Sequence, residues 1–144
     1  MREDFQKYLD FHKKNGGTGK MFQFKFLEYR EGFLKLEAEF TAATLNPNRS
    51  VQGGQMTSML DDITSLLIIY ESGGAVYPSS TNLYSIHHRP LFEGKVIATA
   101  EVLKKGKKIT NIKGDLYTMD GKLATTLMHT AVLISAELNM IKKR

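Results

Sequence analysis

Gly53-Gly54 and Asp61-Asp62 lie eight residues apart on what reads as one apolar-striped helix, and residues so placed could do carbonyl chemistry. Glycines at a helix start leave backbone N–H groups unobstructed where no intrahelical acceptor exists, and the macrodipole adds partial positive charge there. An oxyanion developing against those amides would be stabilised. A carboxylate further along could act as general base on water or as nucleophile. Asp61 is one step past Leu60 and two before Ile63, and Asp62 is nearly a turn past Met59. Both therefore border the apolar stripe, and periodicity does not choose between them. Unequal burial of the pair would separate their pKa values. The bland alternatives are glycines that only permit tight turning, and one Asp in water with the other hydrogen-bonded in the core. Eight residues of helix rise about 12 Å, so joining the two features takes a bent substrate or two subunits.

Other candidates are weaker. His12, His87, His88 and His129 form no helical i, i+4 pair, and the chain has no cysteine, so a metal site is not expected. No G-x-S-x-G elbow is present. Lys104, Lys105, Lys107 and Lys108 surround Gly106. The turn Lys105-Gly106-Lys107 reads either as a solvated hairpin tip or as a clamp for the phosphates of a nucleotide tail, although it lacks a P-loop pattern.

The 144 residues suit one domain with a sizeable core. Net charge is +5, concentrated in the Lys104–Lys108 region and in Lys142, Lys143 and Arg144; the bland reading is solvated turns and tail, and the sharper one is attraction of an anionic ligand. Nucleic acid fits less well, because the basic cluster has no aromatic interleaving and no binding signature. No apolar run approaches the roughly 18 residues of a membrane span. The start, Met1 to Tyr8, lacks a signal-peptide core, so a cytoplasmic location is expected.

The elements that must position these residues follow from periodicity. Phe5, Tyr8, Leu9 and His12 predict a helix over 3–14, broken by the Gly-rich stretch 15–19. Strands are predicted over 21–29 and 33–41, the second alternating cleanly through Leu34, Leu36, Ala38 and Phe40. A loop over 43–52 precedes the strongest helix. Its stripe is Met56, Met59, Leu60, Ile63, Leu66, Leu67 and Tyr70, and it ends near Ser72-Gly73-Gly74. Strands over 79–88, 95–104, 109–119 and 123–136 complete an α+β design. The expectation is a strongly curved antiparallel sheet meandering around one long central helix.

The run Asn46, then Gln52-Gly53-Gly54, then Asp61 resembles the hotdog-fold acyl-CoA thioesterases, in particular the phenylacetyl-CoA and acyl-CoA thioesterase branch. Arg89-Pro90, Phe92-Glu93-Gly94, Lys105-Gly106-Lys107 and Asp120-Gly121-Lys122 agree in order and spacing, and the resemblance covers residues 30–135. It implies a single hotdog domain over 1–144, with 1–20 as N-terminal helix and Gly-rich loop. It implies Asp61 rather than Asp62 as the catalytic acid. The Gly53 amide would polarise the thioester, Asn46 would orient thioester or water, and Ser65 and Ser80 would hold the water. Arg89, Lys105, Gly106 and Lys107 become candidates for the phosphates of coenzyme A, with Gln52 and Gly54 also lining the substrate. The resemblance implies a homodimer or homotetramer in which Asp61 faces Gly53 of the partner subunit, and no metal or redox cofactor. Gln52 departs from the pattern: the branch usually carries His there, and an amide hydrogen-bonds but does not titrate. The activity implied is hydrolysis of an acyl-CoA to free acid and CoA. The alternatives are a non-catalytic acyl-CoA binding protein, a hotdog hydratase or dehydratase, and, from another class, a basic nucleic-acid-binding domain.

Overall fold

The computed structural model describes residues 2–136, so the basic end at Lys142, Lys143 and Arg144 lies outside the described residues. Its elements are α1 (Arg2–Asn15), α2 (Gly17–Phe22), β1 (Lys25–Arg30), β2 (Phe33–Phe40), α3 (Gly53–Glu71), β3 (Val76–His87), β4 (Gly94–Lys105), β5 (Ile109–Tyr117) and β6 (Leu123–Ser135), with a 3-10 turn at Ala42–Thr44. The six strands form one antiparallel sheet in the order β1-β2-β4-β5-β6-β3. The sheet curves around α3 in the hotdog arrangement.

Residue size explains that curvature. Met59, Leu60, Ile63, Leu67 and Ile68 of α3 are fully buried. Several inward positions beneath them are small, among them Ala98 and Ala100 on β4, Gly114 on β5, and Ala124 and Ala131 on β6. A Cβ on Gly114 would lie 3.1 Å from Thr64 Cγ2 and 3.3 Å from Leu60 Cβ. Large side chains on the helix and small ones on the sheet let the two approach closely. Each buried leucine or isoleucine contributes about 1.5–3 kcal/mol. On β2, Leu34, Leu36, Ala38 and Phe40 are buried as the alternation predicts.

Three expectations need correction. The sheet is not a simple meander: β3 pairs with β6 at the far edge, and β4 returns to pair with β2. Alternation reports which face of a strand is buried, not which strand lies beside it. The stretch 15–19 is not only a loop, because α2 begins at Gly17. Gly16 is extended at the cap and Gly19 packs on the His12 carbonyl, so these glycines serve close helix packing. Finally, 21–24 is not strand. Gln23 adopts a left-handed conformation (φ 54) and its amide donates to the Lys20 carbonyl at 2.8 Å, closing α2 before β1 begins.

β3 contains a bulge that matters for the site. Ser80 pairs with Ala131 and Asn82 with Thr130, which leaves Thr81 as an extra residue. A bulge re-phases a strand's alternation. Pro78 and Ser80 face the helix side before it, and Ser85 and His87 face that side after it. Ser80 thus reaches His129 (2.7 Å), while Ser85 reaches Thr57 of α3 (2.7 Å).

Candidate active site

A cavity of about 260 Å³ lies between the middle of α3 and the first half of β3, with Asp61, Asp62, Ser65, Tyr77, Ser80 and His12 on its wall. A larger hollow of about 540 Å³ occupies the opposite face of the sheet. The one buried acid there, Asp115, is already held by Lys113 (3.5 Å) and the Thr126 hydroxyl (2.9 Å). The smaller cavity holds the candidate chemistry.

Asp61 and Asp62 differ as their adjacency allowed. The Asp62 side chain is 16% exposed and lies 3.4 Å from His12 Nε2. Asp61 is 37% exposed and opens to the cavity. Burial raises the Asp61 pKa above its ordinary value and the Asp62 charge raises it further, while hydrogen bonds from the Ser65 and Ser80 hydroxyls pull it back. Asp61, Ser65 and Ser80 are therefore brought together.

Sequence reasoning gave His129 no role. It is a buried imidazole on the inner face of β6, with Thr64 Oγ1 2.7 Å from Nδ1, Ser80 Oγ 2.7 Å from Nε2, and Asp61 Oδ1 3.9 Å from Nε2. Desolvation lowers its pKa, so the ring is neutral at neutral pH. Two proton arrangements satisfy these contacts. In one, Thr64 donates to the Leu60 carbonyl (2.8 Å), His129 Nδ1–H donates to Thr64, and Ser80 donates to Nε2. In the other, Thr64 donates to Nδ1, Nε2–H donates to Ser80, and Ser80 donates to Asp61. An ionised Asp61 favours the second, because a charge-assisted hydrogen bond is the stronger one. The available signal was a lone histidine in phase with Leu127 and Ala131 on a strand's buried face.

The start of α3 is built as the glycine pair suggested. The Gln52 carbonyl accepts from Gln55 N–H (2.9 Å) and Met56 N–H (3.2 Å), and the earlier amides of Gly53 and Gly54 have no acceptor within the helix. Gln52 is exposed and makes no side-chain cap. Beside Gly53 stands a second imidazole, for a Cβ there would lie 3.2 Å from His87 Nε2. His87 Nδ1 faces Thr125 Oγ1 at 3.1 Å, and Thr125 donates to Met56 Sδ at 3.4 Å, so the Thr125 oxygen accepts from Nδ1–H. Burial, then the neighbouring His88, lowers the His87 pKa.

Other sequence candidates sit elsewhere. The Asn46 amide closes its own loop: Oδ1 accepts from Asn48 N–H (2.9 Å) and Ser50 N–H (3.2 Å), and Nδ2 donates to Ser50 (3.0 Å). Arg89 follows β3 at the Gly53 end of the sheet and donates from Nε to the Leu123 carbonyl at 2.9 Å. Lys105, Gly106 and Lys107 form the β4–β5 turn at the other end, where Gly106 N–H bonds the Ile109 carbonyl at 2.8 Å. Within one chain, Arg89 and this turn do not converge.

These pKa directions fix the pH response of stability. A depressed histidine contributes stability that is present above its ordinary value of 6.5 and is lost as pH falls through the folded value. These histidines should therefore pull the melting temperature down as pH falls below 6.5, against the opposite pull of Asp61, and His129→Gln should weaken that downward pull in a thermal-melt series.

Comparison with known proteins places this geometry. No curated protein matches the chain. Among solved structures, a phenylacetic acid degradation-related protein of Ralstonia eutropha JMP134 is 27% identical, with 89% of this chain and 98% of that one covered and a TM-score of 0.77. The PaaI protein of the E. coli phenylacetic acid degradation operon is 20% identical over 94% and 96%, with a TM-score of 0.79. A Streptococcus mutans protein solved with acetyl CoA is 12% identical over 78% and 90%, with a TM-score of 0.71. These last two share the fold. Residues 49–125, more than half of the sequence, match the profile of the thioesterase superfamily, and that span takes in Gly53, Asp61 and Ser80. The chain belongs to the thioesterase superfamily.

Proposed function

We propose that this protein hydrolyses an acyl-CoA thioester to the free acid and CoA, at a site completed by a second copy of the chain. The observation that carries this reading is Asp61 itself, a carboxylate facing a cavity with two hydroxyls on it and a buried imidazole behind one of them. The acetyl CoA bound to the Streptococcus mutans protein supports a CoA ligand.

As general base, Asp61 takes a proton from water while the water oxygen attacks the thioester carbon. The carbonyl oxygen gains negative charge against the Gly53 amide. The tetrahedral intermediate collapses, the C–S bond breaks, and the thiolate leaves with the proton that Asp61 had taken. As nucleophile, Asp61 would instead form a mixed anhydride that water then opens. Ser80, backed by His129, and Ser65 orient the water or the carboxylate.

Gly53 and Asp61 of one chain are separated by about 12 Å of helix, which supports Gly53 of the partner subunit as the one that meets Asp61. The β3 edge supports the same pairing. It is a 12-residue sheet edge with Tyr77, Leu83, Tyr84 and Ile86 exposed on it, and such edges are templates for another strand. A dimer, or a tetramer made of two, would also let Arg89 of one copy and the Lys105–Lys107 turn of the other serve one CoA.

A thiol-release assay over short, long and aromatic acyl-CoA thioesters tests the activity. Turnover of at least one class is expected. Tight binding with no thiol released would favour the non-catalytic binding protein instead. In the same assay Gly53→Ala should lower kcat about tenfold or more, because the added Cβ presses on His87 and narrows access to the amide. The melting temperature should change little.

A further inference from the structure

We propose that His12, carried into the cavity by the N-terminal helix, is the positioning partner of Asp62, and that through Asp62 it governs the ionisation of Asp61. His12 lies outside residues 49–125, which match the superfamily profile, so α1 adds to the site something that region does not contain.

Four observations support it. His12 Nε2 is 3.4 Å from Asp62 Oδ1, with the two side chains 22% and 16% exposed. A carboxylate that far buried needs a compensating group. The ring is fixed: a Cβ on Gly19 would lie 2.5 Å from His12 Nδ1, and the Phe24 ring stands edge-on at 6.0 Å. One further polar atom on each partner, His12 Nδ1 and Asp62 Oδ2, is enclosed without a hydrogen-bond partner among the described residues. Asp62 is thus held chiefly by His12. Lastly, His12, Asp62 and Asp61 line one cavity.

Asp62 bears directly on Asp61, since its negative charge opposes ionisation of the neighbouring carboxyl. Among the described residues, the other titratable groups on this side are Tyr77, on the cavity wall, and His129 on β6, which burial keeps neutral. Asp10 and Lys13 lie on the α1 side of His12, around a separate hollow. The Nε2 edge of the ring, 3.4 Å from Asp62 Oδ1, offsets part of the Asp62 charge through its N–H dipole. Without it, Asp61 would hold its proton to higher pH and be a base over a narrower range. The structure thereby couples the docking of the N-terminal helix to the readiness of the catalytic acid, a consequence that rests on the hydrolase reading above.

The test is a ¹³C-detected titration of the Asp61 carboxyl in the full chain, which reads ionisation without needing turnover. In His12→Ala, which removes the donor, the Asp61 midpoint should rise, and His12→Gln, which returns one, should bring it part of the way back. About threefold less Asp61 should be ionised on the acid side. Adding Asp62→Asn to His12→Ala should bring the midpoint back to the parent's or below it. A His12→Ala protein that melts lower with its Asp61 midpoint unmoved would overturn the proposal, leaving His12 only structural. A midpoint that stays raised in the double variant would overturn it too. If His12→Ala does not fold, His12→Asn takes its place: it should raise the Asp61 midpoint in the parent and leave it unmoved in Asp62→Asn, and an unmoved midpoint in the parent or a raised one in Asp62→Asn sinks the idea. Activity separates the two readings. An acid limb of kcat/KM that follows the midpoint supports both, whereas a moving midpoint in a protein that hydrolyses no acyl-CoA overturns the hydrolase reading alone.

Discussion

Asp61→Asn should lower thioester hydrolysis by about 10³-fold while the protein melts higher, not lower, at neutral pH. The activity loss follows because the amide neither accepts the water proton nor attacks carbon. The stability gain follows from linkage. Burial and the Asp62 charge raise the Asp61 pKa on folding. A group raised in this way contributes stability that is present below its ordinary value of 3.8 and is lost as pH rises through the folded value. At neutral pH the ionised carboxylate therefore opposes folding, and Asn relieves it, with lost hydrogen bonds from Ser65 and Ser80 offsetting part of the gain. Melts of parent and variant should converge as pH falls toward 4. Ser80→Ala should cost less, about tenfold in kcat, because the carboxylate stays and only its orientation loosens. His129→Gln should resemble Ser80→Ala rather than Asp61→Asn, since the imidazole acts through Ser80. Unchanged turnover in Asp61→Asn would remove Asp61 from the mechanism and leave the cavity as a binding site.

The second large effect is on stability. Gly19→Ala should destabilise the protein by about 2 kcal/mol, read by denaturant unfolding. The added Cβ would stand 2.4 Å from the His12 carbonyl oxygen and 2.6 Å from its carbonyl carbon. Those are backbone atoms inside α1, so no side-chain rotation relieves the contact and α2 must move away. The neighbouring glycines are internal controls. Gly17 has nothing within 4 Å of its Cβ position, and Gly16 meets the His12 carbonyl oxygen at an ordinary 3.4 Å. Gly17→Ala should be neutral or stabilising by a few tenths of a kcal/mol, because it narrows the unfolded ensemble. Equal losses from all three substitutions would contradict close packing as the reason for Gly19. Movement of α2 would also disturb His12, so Gly19→Ala should alter the pH response of the cavity where Gly17→Ala does not.

Much of the fold was legible because it is written locally. The alternation of Leu34, Leu36, Ala38 and Phe40 required one buried strand face, and the Met56–Tyr70 stripe required a helix covered on its apolar side. The glycines at 53 and 54 and the acids at 61 and 62 were visible as types that do carbonyl chemistry. Residues of one helix keep their spacing whatever surrounds them, so Asp61 and Ser65 were placed together by sequence alone. The Gly-rich stretch misled because glycine serves a loop and a close helix crossing equally well, and only the position of His12 distinguishes them.

The sequence by itself determined the central helix, the alternating strands and the spacing of Gly53, Asp61 and Ser65 along that helix, since periods of 3.6 and 2 depend only on neighbours along the chain. Tertiary structure alone decided that β3 lies at the far edge, and that the bulge at Thr81 turns both Ser80 and His87 toward the helix. It also joined His129 to Ser80 across 49 residues and His12 to Asp62 across 50. These contacts rest on strand register and on how closely two helices can approach. Both are set by packing between distant segments, for which local periodicity carries no signal.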